Sequence, residues 1–169
     1  MIQLILGGAR SGKSRFAEQL AENRGLPVTY IATATAGDQE MAQRIAHHQH
    51  QRPPSWQLVE EPIALADALC AHASAHRVLL VDCLTLWITN ALFHPEPTCW
   101  QRERQALLDT LAKLPGEILL VSNEVGQGIV PLGEQTRRYV DEAGWLHQEI
   151  AQLADRAWFV VAGLPQSLK

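Results

Sequence analysis

Five short stretches of the chain are almost unbroken in apolar residues: Ile2 to Leu6, Val28 to Ala32, Val78 to Asp82, Ile118 to Ser122 and Trp158 to Ala162. A strand with one wet face alternates apolar and polar positions, so runs like these predict strands covered on both sides. Between them the apolar period lengthens. Helices are predicted over Ser14 to Asn23, Asp38 to His50, Pro62 to Ala73, Leu84 to Leu92, Trp100 to Leu114 and Glu134 to Ala154. The last is the clearest, with Tyr139, Ala143, Leu146, Ile150 and Leu153 spaced by four, three, four and three residues. Strands alternating with helices predict an α/β fold, a mainly parallel sheet with helices on both faces. Ligands of such sheets gather beyond the carboxyl ends of the strands. That rule picks out the loop after Leu6, Thr33 to Asp38, Asp82, and Asn123 to Gly128.

Composition narrows the class without changing this picture. A chain of 169 residues suits a single domain spanning 1–169, and 47% hydrophobic with 19% charged residues predicts a packed core rather than disorder. The net charge of −4 lacks the basic excess of a phosphate-backbone binder, so no nucleic-acid partner is expected. Cys70, Cys83 and Cys99 are odd in number and not spaced as a zinc site, which suits a reducing cytoplasm. The first apolar run ends at Gly7, too short for a signal peptide or a membrane span.

The loop after the first run reads Gly7-Gly8-Ala9-Arg10-Ser11-Gly12-Lys13-Ser14, a complete G-x-x-x-x-G-K-[ST] between a strand and a helix. Glycines suit it because the backbone must turn sharply and bring successive N–H groups to phosphate oxygens. The helix that follows directs its N-terminal dipole at the same anion. Lys13 is expected to reach the β- and γ-phosphates and the Ser14 hydroxyl to ligate Mg²⁺. The fold class predicted is therefore P-loop NTPase-like. An ordinary Gly-rich turn is the plain alternative, made harder to sustain by the strand and helix around it.

Asp82 closes Val-Leu-Leu-Val-Asp, the form of a Walker B strand; it either holds Mg²⁺ beside Ser14 or caps the next helix. Glu124, in Asn-Glu-Val-Gly-Gln-Gly, is either a general base, a carboxylate partnering the groups around the metal, or a solvated loop carboxylate. In the cluster His47-His48-Gln49-His50 no H-E-x-x-H zinc pattern is present. At about 100° per residue His48 falls about 20° from Met41 and near Ile45, whereas His47 and His50 point away. A histidine on an apolar face is either a core residue or a catalyst. Pro53 and Pro54 stop that helix. Trp56, Trp87, Trp100, Trp145 and Trp158 are expected as core or interface anchors, and Glu60 and Glu61 as the start of the next helix.

Five strings occur in order: residues 7–18 Gly-Gly-Ala-Arg-Ser-Gly-Lys-Ser-Arg-Phe-Ala-Glu, 30–33 Tyr-Ile-Ala-Thr, 44–48 Arg-Ile-Ala-His-His, 81–90 Val-Asp-Cys-Leu-Thr-Leu-Trp-Ile-Thr-Asn and 122–131 Ser-Asn-Glu-Val-Gly-Gln-Gly-Ile-Val-Pro. Together they resemble the bifunctional adenosylcobinamide kinase and adenosylcobinamide-phosphate guanylyltransferase family of cobalamin biosynthesis, from Ile2 to Leu164. The resemblance implies a homotrimer with two activities. ATP or GTP phosphorylates the aminopropanol hydroxyl of adenosylcobinamide; GTP then donates GMP to adenosylcobinamide phosphate through a guanylylated histidine, releasing pyrophosphate and giving adenosylcobinamide-GDP. The match to Arg-Ile-x-x-His carries that histidine onto His48. It also implies nucleotide contacts from Gly7 to Ser14, from Ala32, Thr33 and Ala34, from Gln49, His50, Gln51 and Arg52, and from Glu60 and Asp82. Some relatives have Glu at the position of Asp82. After Pro131 the family's Arg-x-Phe-Arg-Asp and Gly-x-x-Asn-Gln stand here as Arg-Arg-Tyr-Val-Asp (137–141) and Gly-Trp-Leu-His-Gln (144–148).

A neutral imidazole, with an ordinary pKa of about 6.5, is a competent nucleophile near neutral pH. Its attack on the α-phosphorus builds charge on the departing pyrophosphate, where the Gly7 loop, Lys13 and Mg²⁺ are expected to be aimed. One cradle would then serve both reactions. The rivals are a P-loop small-molecule kinase without guanylyl transfer and a P-loop regulatory or motor module.

Overall fold

The computed structural model describes residues 1–34 and 53–169. The predicted helix from Asp38 to His50, with His48, Gln49 and His50, therefore lies wholly outside the described residues, as do Gln51 and Arg52. In chain order the elements are β1 (Ile2–Gly7), α1 (Lys13–Glu22), β2 (Val28–Ala32), β3 (Gln57–Glu60), α2 (Leu65–His72), β4 (Val78–Asp82), α3 (Leu84–Leu92), α4 (Cys99–Leu111), β5 (Glu117–Asn123), α5 (Glu134–Leu153), β6 (Arg156–Val161) and β7 (Leu164–Ser167). The strands form one sheet in the order β3-β2-β4-β5-β1-β6-β7. All neighbours run parallel except β6 and β7.

The near-continuous apolar runs occupy the middle of this sheet because each needs an apolar partner on both faces. Alternate residues divide accordingly. Leu4, Ile31, Leu79, Val81, Ile118 and Leu120 pack with residues of α2 to α5, among them Leu65, Trp87, Trp100 and Leu146. Their sequence neighbours Ile5, Tyr30, Leu80, Leu119 and Val121 pack on the opposite face against Ala17 and Ala21 of α1. The period of two thus feeds two cores from one set of strands. Trp87 and Trp100 meet edge to face, 5.5 Å between centroids, and the Trp87 indole donates to the Ile63 carbonyl at 2.7 Å.

Two expectations change and a third narrows. Gln57–Glu60 forms an edge strand, β3, rather than a helix approach, and its side chains are exposed or half-buried, which is why no apolar run announces it. Glu60 closes that strand; Glu61 remains at the helix approach, where its Oε1 accepts from the backbone N–H groups of Ile63 and Ala64. Ala162 is not the end of a strand: Ala162 (φ 51°) and Gly163 (φ 78°) form the two-residue turn into β7. Two successive positive φ values are what a tight antiparallel hairpin demands. Of the core and interface alternatives for Trp145, its 53% exposure removes the core and leaves the interface.

Candidate functional site

The carboxyl ends of the central strands are level with one another. Gly7 at the end of β1 pairs with Asn123 at the end of β5, Ala32 of β2 pairs with Asp82 of β4, and Ala32 also pairs with Glu60 of β3. Parallel pairing therefore brings the Gly7 loop, Ala32 to Ala34, Glu60, Asp82 and Asn123 to one edge of the sheet.

The loop between β1 and α1 is held from inside and outside. Ser11 N–H donates to the Gly8 carbonyl at 3.3 Å, and Phe16 N–H donates to the Gly12 carbonyl at 3.0 Å, which opens α1. A Cβ on Gly7 would collide with Ser11 Oγ and the Val160 carbonyl, and one on Gly12, whose φ is 93°, would sit 3.0 Å from Gly163 Cα. The β6–β7 turn is the outer support: Gly163 N–H donates to the Ser11 carbonyl at 2.7 Å. Ala9 and Arg10 are exposed at the tip, with Arg10 at φ 55°.

Lys13 is drawn back over the loop, its Nζ donating to the Gly8 carbonyl at 3.2 Å. Desolvation lowers its pKa, while the nearby Asp82 carboxylate raises it. Burial is the larger effect, so the net shift is downward. Asp82 is fixed in turn by the Tyr30 hydroxyl, which donates to its Oδ2 at 2.9 Å. Next to it, burial and then the Asp82 charge push the Cys83 thiol up to about 11, so it stays a neutral thiol. Thr33 locks this corner: its Oγ1 donates to the Cys83 carbonyl at 2.6 Å and accepts from the Cys83 N–H at 3.0 Å, while Asn90 Nδ2 donates to the Thr33 carbonyl at 2.9 Å.

On the other flank, Glu124 N–H donates to the Gly7 carbonyl at 3.0 Å and Glu124 Oε1 accepts from Gly126 N–H. Asn123 N–H donates to Thr85 Oγ1 at 2.8 Å. Ser11 Oγ and Asn123 Oδ1 are buried and without hydrogen-bond partners among the described residues. Buried polar atoms ordinarily have partners. Two such atoms flanking Gly7, in a loop too tight for side chains, fit a site completed by phosphate and hydroxyl groups. Ser14 in the first turn of α1 and the Asp82 carboxylate are hard oxygen donors of the kind Mg²⁺ takes beside phosphate oxygens and water. Among the described residues no group of three or more His, Cys, Asp or Glu is placed to hold a metal alone.

Sequence reasoning missed Tyr30, Thr85, Ser122, His147 and the Ala162-Gly163 turn as parts of this region. The last had a signal, since Ala-Gly follows an apolar run directly; the others stand in the strings quoted for the resemblance, but their roles were not legible because their partners lie far away in the chain.

A parallel sheet with a phosphate cradle after β1 and a carboxylate after β4 defines the P-loop NTPase class of fold. Among solved structures, similar folds are the RadB recombinase (TM-score 0.53, 15% identity, 94% of this chain and 73% of that one) and a protein of Pyrococcus horikoshii OT3 (TM-score 0.57, 8% identity, 100% and 85%). The family model described as cobinamide kinase / cobinamide phosphate guanyltransferase matches residues 3–168. The bifunctional adenosylcobalamin biosynthesis protein CobP of Pseudomonas aeruginosa is 62% identical over 169 residues, covering 100% of this chain and 98% of the relative. The CobU protein of Escherichia coli, of the same description, is 38% identical over 182 residues, covering 100% of both. The chain belongs to the cobinamide kinase / cobinamide phosphate guanyltransferase family.

Proposed function

We propose that this protein phosphorylates the aminopropanol hydroxyl of adenosylcobinamide with ATP or GTP and then transfers GMP from GTP to the resulting phosphate, giving adenosylcobinamide-GDP and pyrophosphate. The observation that carries the proposal is the Gly7–Ser14 cradle, with Lys13 held between the Gly8 carbonyl and the Asp82 charge, in a chain that matches the family model over 3–168.

In the first step the substrate hydroxyl oxygen attacks the γ-phosphorus, the bond to the β,γ-bridging oxygen breaks, and the nucleoside diphosphate leaves. Lys13 and the loop N–H groups neutralise the charge gathering at that bridge. Either Glu124 or Asp82 would take the hydroxyl proton. Ser14 and Asp82 would hold Mg²⁺, which supplies further charge neutralisation at the phosphates. In the second step an imidazole nitrogen of His48 attacks the α-phosphorus of GTP, and pyrophosphate departs with the bonding pair. A phosphate oxygen of adenosylcobinamide phosphate then attacks the same phosphorus, breaking the P–N bond and freeing the histidine. His48 lies outside the described residues; its role rests on the family resemblance and the helical-face argument. The nucleotide contacts of Gln49, His50, Gln51 and Arg52 lie outside the described residues too and rest on the family resemblance alone.

Assembly as a homotrimer belongs to the same proposal. It is supported by Ile129, Val130 and Leu132, which are 98%, 72% and 99% exposed in one stretch just beyond the site. A cytoplasmic setting is supported by the free thiols Cys70, Cys83 and Cys99. Among the described residues no helix is long and apolar enough to cross a membrane.

The test is incubation with α-labelled GTP followed by denaturing electrophoresis. Label that stays on the wild-type chain, is released by acid and passes to adenosylcobinamide phosphate supports the proposal. The His48→Ala variant should lose the adduct while keeping phosphorylation activity. An adduct persisting in that variant moves the nucleophile to His47 or His50, and a wild-type chain that phosphorylates but never takes label is a kinase without guanylyl transfer.

A further inference from the structure

His147 is far from the cradle in sequence and near it through a chain of hydroxyls. It lies on α5, buried, and its Nε2 is 2.8 Å from Ser122 Oγ, itself fully buried near the end of β5. Ser122 Oγ is 3.4 Å from Thr85 Oγ1 in the first turn of α3, and Thr85 Oγ1 accepts the Asn123 N–H at 2.8 Å. One residue on, Glu124 N–H is bonded to the Gly7 carbonyl. A second tie runs in parallel, with the Tyr139 hydroxyl of α5 donating to the Thr85 carbonyl at 3.2 Å. The carboxyl end of β5 is thus stapled to α3 and α5 by side chains at the point where Asn123 and Glu124 face the phosphate loop.

We propose that His147 is a positioning residue for the transfer reactions, holding Asn123 and Glu124 at the Gly7 loop through Ser122 and Thr85. A neutral ring with its proton on Nδ1 lets Nε2 accept from the Ser122 hydroxyl. The Ser122 oxygen is then free to accept from Thr85, whose oxygen takes the Asn123 N–H. A protonated ring would donate at Nε2 and reverse the Ser122 hydroxyl, breaking that sense of donation. Burial favours the neutral ring by lowering the His147 pKa, and the Glu124 charge opposes it. The side chain touches no reacting atom; its effect is the register of the β5 terminus against the cradle.

This rests on the proposed double transfer, so wild-type protein assayed in parallel reports on that proposal and the variants report on this one. His147→Ala should lower kcat for phosphorylation about tenfold, with KM for the nucleotide within about twofold, since Lys13 and the N–H groups of the Gly7–Ser14 loop, which would bind the triphosphate, are not the groups displaced. His147→Gln, which can accept at a similar place, should recover most of the loss. Ser122→Ala should reproduce the Ala effect, and His147→Ala/Ser122→Ala should be no slower than either single change, because both cut one chain. Multiplying effects in the double variant, or a Gln variant as slow as the Ala variant at the same folded fraction by circular dichroism, would overturn it. So would a folded Ala variant with unchanged kcat. Should His147→Ala not fold, Ser122→Ala and His147→Gln alone decide: a slowed Ser122→Ala with a near-normal Gln variant supports the assignment, and any other combination rejects it.

Discussion

Lys13 shows how a single side chain takes its meaning from its surroundings. An exposed lysine is one more solvated cation; here desolvation weakens the charge while Asp82 restores it, so a polyphosphate would meet a cation already stripped of part of its water. If one cradle serves both transfers, Lys13→Ala should cut phosphorylation and guanylyl transfer together by about a hundredfold or more, the scale on which preorganised charge stabilisation acts. Loss of only one activity in parallel steady-state assays would separate the two sites. His147 yields a second test at this scale. Its folded pKa lies below the unfolded value of about 6.5, so as pH falls the unfolded chain takes up the proton first. Its contribution to stability is complete above that value and declines as pH drops beneath it. His147→Gln should flatten this acid-side decline, read as the difference in urea midpoint between wild type and variant at about pH 8 and about pH 5.5.

At the scale of elements, the phosphate loop is a strand end, a turn and a helix start braced by a hairpin that arrives more than a hundred residues later in the chain. Gly12 carries the strain of this arrangement, with φ 93° and Gly163 Cα at 3.0 Å from where a Cβ would lie. Gly12→Ala should cost about 1–2 kcal/mol from the left-handed backbone alone, and the push against Gly163 should weaken nucleotide binding as well. Gly8 is the internal control, since nothing lies within 4 Å of a Cβ there. Equal urea midpoints for Gly12→Ala and Gly8→Ala would show that the hairpin does not brace the loop. The same scale explains which elements were legible in advance. The five apolar runs became five strands; in four of them burial on two faces demands apolar residues at nearly every position, whereas β6 buries Ala157 and Val160 and leaves Val161 exposed. β3 and β7 did not announce themselves: both lie at sheet edges, and the side chains of β7 are all exposed.

For the whole molecule, the sheet gathers the cradle, the Asp82 carboxylate and Glu124 at one edge, and beside that edge the stretch from Val125 to Leu132 turns large apolar side chains outward. Trimer formation would cover them. Light scattering coupled to size exclusion should then report three chains of 18.7 kDa, and Ile129→Asp/Leu132→Asp should shift the mass toward one chain. A wild-type chain eluting as a monomer across working concentrations would remove the assembly from the proposal. Along the length of α3 and against the amino-terminal turns of α5 lies an open groove of about 430 Å³ lined by Thr85, Thr89, Phe93, Gln135, Thr136 and Tyr139.

What the amino-acid order determined by itself is local. Unbroken apolar runs are strands buried twice, spacings of three and four are helix faces, and glycines at positions 7, 8 and 12 before Lys13 are a loop shaped for phosphate. Each follows from residues that are neighbours along the chain, as does the carboxylate that ends β4. Tertiary structure alone decided which distant groups complete that edge: Tyr30 on Asp82, Thr33 on Cys83, the Gly163 turn on Ser11, and the path from His147 through Ser122 and Thr85 to Asn123. Hydrogen bonds between residues 25 to 152 positions apart leave no periodicity to read. They exist because parallel pairing sets the strand ends level and helix packing delivers side chains to them.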